Sequence, residues 1–351
     1  MTRRLKASEA IREALELKLQ DDPSTYVMGL GVPDPRGVFG TTLDLHKKFG
    51  PGRAMDMPTS ENGMTGVAIG SAIVGQRPIM VHQRIDFLTL AMEQLTNQAA
   101  KWHYMFGGKM RVPLTVRAIV GRGWGQGTQH SQSLQAWFAH VPGIKVVIPA
   151  TPADAKGLLI SAIEDDAPTI FIEYRWIHNI EDEVPEGMYR TPIGKARIAR
   201  EGSDATIVAC GYMTLEAMRA AKHLEPMGVD VEVIDLRSLR PYDAQTILAS
   251  VRKTGRLVAA DTAWVTCGFS AEIVAKVTEE AFDALKCPPR RIALPDCAVP
   301  STPALANLYY PTSDHLEDAI LAMLGRAGET PEREPRTIPP DVPHGSFTGP
   351  F

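Results

Sequence analysis

The chain has 351 residues, 44% hydrophobic and 22% charged, with a formal net charge of −4. That length suffices for two cores of roughly 150 residues each, and it lacks the clustered Lys and Arg of a nucleic-acid footprint. The charged start has no apolar run or small-residue cleavage site, and no stretch approaches the ~20 consecutive apolar residues of a membrane span. The expectation is therefore a cytoplasmic protein with neither nucleic-acid nor membrane partners. Cys210, Cys267, Cys287 and Cys297 stand far apart, without CxxC spacing, and read as small core residues.

In chain order, Leu5, Ala10, Ile11, Ala14, Leu15 and Leu17 recur at helical spacing and predict an amphipathic helix over 4–22. A strand over 26–32 follows. Strands at 54–57, 78–81 and 114–120 then alternate with helices at 62–74 and 86–104. A strand at 144–149, a helix at 154–163 and a strand at 169–174 continue the order, which specifies a mostly parallel α/β sheet covered on both faces. Residues 186–202 include Gly187, Pro192 and Gly194 and read as a linker. A second α/β alternation has strands at 205–210, 229–235, 256–261 and 291–295 and helices at 213–224, 243–252, 269–284 and 314–324. The expected domains are thus 1–185 and 203–326, both doubly wound, followed by a proline-rich tail, 327–351.

Three constellations fall at expected strand ends, where α/β proteins bind ligands. The first, from Pro58 to Gly70, places Glu61 where a strand passes into a small-residue helix. A helix-start carboxylate favoured by the dipole is the plain alternative. The second is the glycine-dense run from Gly121 to Gln132. It lacks the lysine of a phosphate loop and does not fit a dinucleotide fingerprint, but it presents His130, a residue suited to proton transfer. In the third, His82, Gln83, Arg84 and Phe87 abruptly replace an apolar run.

These residues carry a resemblance. The blocks SENGMTGVAIGSAIVGQRPI, TQHSQSLQAWFAHVPGIKVVIPATPADAKGLLISAIEDDAP and EVIDLRSLRPYD are similar to the β subunits of thiamine-diphosphate-dependent 2-oxoacid dehydrogenases of the pyruvate and branched-chain type. Those subunits lie within the transketolase-like superfamily. The resemblance implies an N-terminal pyrimidine-binding domain and a C-terminal transketolase-type domain. It also implies oxidative decarboxylation of a 2-oxoacid with acyl transfer to a lipoyl group. Glu61 would hydrogen-bond the cofactor's aminopyrimidine, Gln83, Phe87 and Thr59 would wall it, and His130 would assist proton transfer.

The chain contains no GDG motif, so the resemblance implies that a separate α subunit holds the diphosphate and Mg²⁺ in an α2β2 tetramer, active only when assembled. A lipoyl acyltransferase would be the further partner. A structural K⁺ held by backbone carbonyls near Ala162 and Asp165 is also implied. His82, Arg84, Arg122 and Trp124 depart from the family pattern and stand as candidates for substrate or interface contact. Two alternatives remain at this stage: a split transketolase-like subunit moving a two-carbon ketol unit, and an assembly-only subunit.

Overall fold

The computed structural model describes residues 2–122, 126–336 and 338, and these divide into two compact units. The first comprises residues 1–121 and 137–193; the second comprises 122–136 and 194–351.

The first unit opens with β1 (Thr2–Lys6) and α1 (Ala7–Asp21). Its sheet contains β2 (Thr25–Gly29), β3 (Ala54–Met55), β4 (Arg77–His82), β5 (Thr115–Val120), β6 (Lys145–Val147) and β7 (Thr169–Tyr174). They lie in the order β6-β7-β5-β4-β2-β3, all parallel. Between them run α2 (Leu45–Phe49), α3 (Glu61–Ile73), α4 (Ile85–Leu88), α5 (Ala100–Met105) and α7 (Pro152–Glu164), while α6 (Gln135–Ala139) has its first two residues in the second unit and the rest in the first. The strands β5 and β7 are buried along their whole length, as a sheet covered on both faces requires. Ile79 and Val81 of β4 join one core with Leu15 of α1 and Leu158 of α7. Met80 and His82, alternating with them, face the α3 side. The helix α7 begins where sequence rules place a start: Thr151 accepts from the Asp154 N–H at 3.1 Å and Pro152 follows it.

Two features depart from the sequence reading. The strand β8 (Glu181–Pro185) pairs antiparallel with β1, so the chain's first residues form a strand before the helix starts. The expected helix over 86–104 is broken into α4, a 3₁₀ turn at Thr89–Ala91, a π-turn at Gln94–Ala99 and α5. Here Thr89 donates its hydroxyl to the Asp86 carbonyl at 2.6 Å and Thr96 to the Met92 carbonyl at 2.7 Å. Such back-bonding competes with the regular ladder.

The second unit has β9 (Arg197–Arg200), β10 (Ala205–Ala209), α8 (Tyr212–Leu224), β11 (Val231–Asp235), β12 (Ser238–Arg240), α9 (Ala244–Thr254), β13 (Leu257–Trp264), α10 (Phe269–Ala281), β14 (Arg290–Leu294), α11 (Pro303–Tyr309) and α12 (Ser313–Met323). Its five-stranded sheet runs β14-β13-β10-β11-β9, parallel except for the edge strand β9. That strand lies within the stretch expected as a linker. Ala217 and Leu224 of α8 and Leu316 and Ile320 of α12 pack on one face of the sheet. No helix among the described residues is long and apolar enough to cross a membrane.

Candidate active site

The first unit's strand order reverses at β2: the chain steps outward to β3 and then returns across β2 to β4. A reversal of this kind leaves a crevice beyond the carboxyl ends of the strands. The side chains after these strands meet there. Gln83, following β4, donates its amide Nε2 to the Leu30 carbonyl after β2 at 2.9 Å. The Gly31 N–H donates to Asp56 Oδ1, after β3, at 3.0 Å. Gly31 has φ +78°, and a Cβ there would come within 2.9 Å of the Gln83 amide, so glycine alone suits this crossing.

The helix α3 runs back along β4, which brings its first turn to the same edge. Thr65, one turn in, donates its hydroxyl to the Glu61 carbonyl at 2.7 Å and lies 3.3 Å from the Met80 sulfur. Glu61 is the first residue of α3 and is half-buried, and its carboxylate has no hydrogen bond or ion pair to any described residue. A carboxylate at a helix start is favoured by the dipole and, lacking a partner, can accept from a ligand N–H. Thr59 is exposed beside it. Phe87 in α4 is 38% exposed. Glu61 thus follows β3, and Gln83 and Phe87 follow β4, the two strands that flank β2.

His82 and Arg84 turn inward, each 3% exposed. Burial pulls the His82 imidazole down to about 4, and its Nε2 has no hydrogen-bond partner among the described residues. Arg84 donates Nη1 to the Gln83 carbonyl at 2.6 Å and lies 4.9 Å from the centre of the Phe39 ring. Arg175, after β7, lies 4.8 Å from the same ring. Burial pulls both guanidiniums down to about 10, so both stay charged at neutral pH. Arg175 escaped the sequence reading, although its position directly after the apolar run 169–174 marked it. Near the implied potassium position, the Ala162 carbonyl accepts the Asp165 N–H at 3.3 Å. The carbonyls of Ile163 and Asp165 each accept from Arg77 Nη1 at 3.1 Å.

His130 and Arg122 belong to the second unit, and Trp124 lies outside the described residues. His130 closes a 3₁₀ turn, Thr128–His130, after Gly127, which has φ +66°. Arg122 is 5% exposed, its guanidinium 4.7 Å from the Tyr212 ring centre and 4.1 Å from that of Tyr310. Gln135, also missed from sequence, is fully buried and donates Nε2 to Asp261 Oδ1 at 2.7 Å. Its signal was an amide inside an apolar run. Burial pushes the Asp261 carboxyl up, against hydrogen bonds from the Ala263 N–H and the Gln135 amide.

Two α/β units with mainly parallel sheets make up the described chain. Residues 3–177 match the family described as transketolase, pyrimidine binding domain, and residues 194–316 match the transketolase C-terminal domain. The β subunit of acetoin:2,6-dichlorophenolindophenol oxidoreductase from Cupriavidus necator is 43% identical over 91% of this chain and 97% of its own. The pyruvate dehydrogenase E1 component subunit β of Rhizobium meliloti is 41% identical over 90% of this chain and 69% of its own. Among solved structures, a split-gene transketolase, described as an inactive β4 tetramer, aligns with a TM-score of 0.75 at 26% identity, covering 92% of this chain and 99% of that one. The chain belongs to the transketolase-like family that includes the β subunits of pyruvate dehydrogenase E1 and of acetoin oxidoreductase. Membership of this pyrimidine-binding family implies use of thiamine diphosphate.

Proposed function

We propose that this chain is the β subunit of a decarboxylating, lipoyl-linked 2-oxoacid dehydrogenase and that Glu61 serves its cofactor. The observation that carries the reading is the Glu61 carboxylate, which makes no hydrogen bond or ion pair to any described residue at the start of α3, after β3. When bound, thiamine diphosphate supplies a carbon nucleophile and an electron sink for cleavage beside a carbonyl. Glu61 holds a proton at the aminopyrimidine ring nitrogen, a task for a carboxyl that an amide cannot perform. Phe87 would stack on that ring, and Gln83 and Thr59 would flank it. His130 moves a proton at the substrate or lipoyl group.

The absence of a GDG motif supports an α subunit that brings the diphosphate and Mg²⁺, hence an α2β2 complex, with a lipoyl acyltransferase as acceptor. A K⁺ near Ala162 and Asp165 would share carbonyls that already receive the Arg77 guanidinium, so it enters this reading as a competitor of Arg77. A second substrate class, acetoin, is favoured by the 43% identical relative. The bond broken next to the carbonyl would then release an aldehyde in place of CO₂.

The test is reduction of 2,6-dichlorophenolindophenol by the co-expressed α/β complex with pyruvate, a branched-chain 2-oxoacid, acetoin or a sugar phosphate, beside calorimetry of thiamine diphosphate. Turnover of a 2-oxoacid by the complex, with the chain alone binding at least about tenfold more weakly, is expected when half a site is missing. Turnover of sugar phosphates alone, or tight Mg²⁺-dependent binding without a partner, would sink the reading.

A further inference from the structure

The run that carries His130 leaves β5 of the first unit, yet its described contacts tie it within the second. At its start, Arg122 stacks on two tyrosines at 4.7 and 4.1 Å: Tyr212, which opens α8, and Tyr310, which follows α11. At its end, Gln135 donates to Asp261 Oδ1 at 2.7 Å and to the Thr262 hydroxyl at 3.2 Å, both on β13. Asp261 is itself held by the Ala263 N–H at 3.1 Å and the Ser270 N–H at 3.4 Å, so this anchor is rigid. Between the two, Thr128 donates its hydroxyl to the Val299 carbonyl at 3.2 Å. A Cβ on Gly127 would come within 3.0 Å of the Ser301 hydroxyl, so the turn bearing His130 lies directly on that segment.

A glycine-rich run has many accessible backbone states, and an imidazole on it serves proton transfer only when those states are removed. A guanidinium against two rings at Arg122 and an amide buried on a carboxylate at Gln135 hold the chain on either side of the turn that bears His130. We infer that Arg122 and Gln135 are positioning residues for His130, acting from the second unit. This assigns Arg122 a role inside the chain, in place of the substrate or partner contact that its charge suggested. The inference rests on the reading of His130 given above.

The test is a double-mutant cycle in the co-expressed α/β complex, paired with hydrogen–deuterium exchange of the peptide 122–136. Arg122→Leu and Gln135→Leu are each made alone and on His130→Ala. Each single variant should lower kcat about ten- to hundredfold with KM little changed, the scale expected for a misplaced catalytic group. Exchange in 122–136 should quicken in both, a readout independent of the loaded enzyme. On His130→Ala neither should cost anything more, because residues acting through one imidazole are not additive.

Full kcat in both single variants, unchanged exchange, or an undiminished further loss on His130→Ala would each overturn the inference. Should Arg122→Leu fail to assemble, Arg122→Lys, which keeps a cation at the rings but not the planar contact, replaces it in the cycle with the same outcomes. His130→Ala keeping its rate would instead remove the role of His130. His130→Ala losing its rate while Arg122→Leu and Gln135→Leu keep theirs would remove the anchors alone.

Discussion

Glu61 in the first unit and the buried acids Glu216 and Glu317 in the second are treated in opposite ways. In the second unit, Glu216 and Glu317 are buried and neutralised. Arg336 donates to Glu216 at 2.6 Å, Arg333 to Glu317 at 2.6 Å, and His223 lies 2.7 Å from Glu317. Burial by itself would raise the Glu216 carboxyl, but Arg336 brings it below the usual range. In the first unit Glu61 is half-exposed at a crevice with no described partner. A buried acid with its cation in place is structural, because removing the cation strands a charge; an acid left open is available for a ligand. Both arginines come from residues 327–336, the start of the proline-rich tail, which clasps α8 and α12.

The largest effect on stability should come from breaking that clasp. The double variant Arg333→Ala, Arg336→Ala is expected to cost the second unit about 3 kcal/mol in urea unfolding, with most of it recovered by adding Glu216→Gln and Glu317→Gln. No change in midpoint would show that the tail only rests on the surface. A smaller effect tests whether His82 is a packing group. Its folded-state value of about 4 lies below the ordinary 6.5, so its contribution is complete above pH 6.5 and is lost as pH falls toward 4. The first unit should lose about 2 kcal/mol from this group between pH 7.5 and 5, a slope that His82→Leu removes. An identical pH slope in His82→Leu would show that His82 is solvated or paired. The smallest effect concerns Arg77. With its guanidinium on the carbonyls of Ile163 and Asp165, replacing KCl by NaCl should move the melting temperature by less than about 1 °C. A shift of several degrees would put an ion on those carbonyls.

The parallel sheets were legible because β4, β5, β7, β10 and β11 are mostly apolar runs that need cover on both faces. The pairing of β1 with β8 was not. It joins Thr2 to Pro185, and its residues, TRRLK and EDEVP, show no local apolar pattern. The π-turn in the broken helix was equally hidden, since threonine back-bonding leaves the helical spacing of apolar residues almost intact. Of the candidate site, Glu61, Gln83 and Phe87 could be found as polar or aromatic residues at strand ends. The attachment of Arg122 and Gln135 could not, because the tyrosines and the aspartate that hold them lie far along the chain. Their sequence position made His82 and Arg84 candidates for contact with a substrate or a partner; their burial is a tertiary fact that no local pattern encodes.

The most direct measurement replaces one oxygen by nitrogen: Glu61→Gln in the co-expressed α/β complex, with assembly followed by light scattering and turnover by dye reduction. The account predicts an intact complex whose kcat falls at least about a hundredfold, the scale of lost general acid–base help. An intact complex with near-full turnover would contradict it.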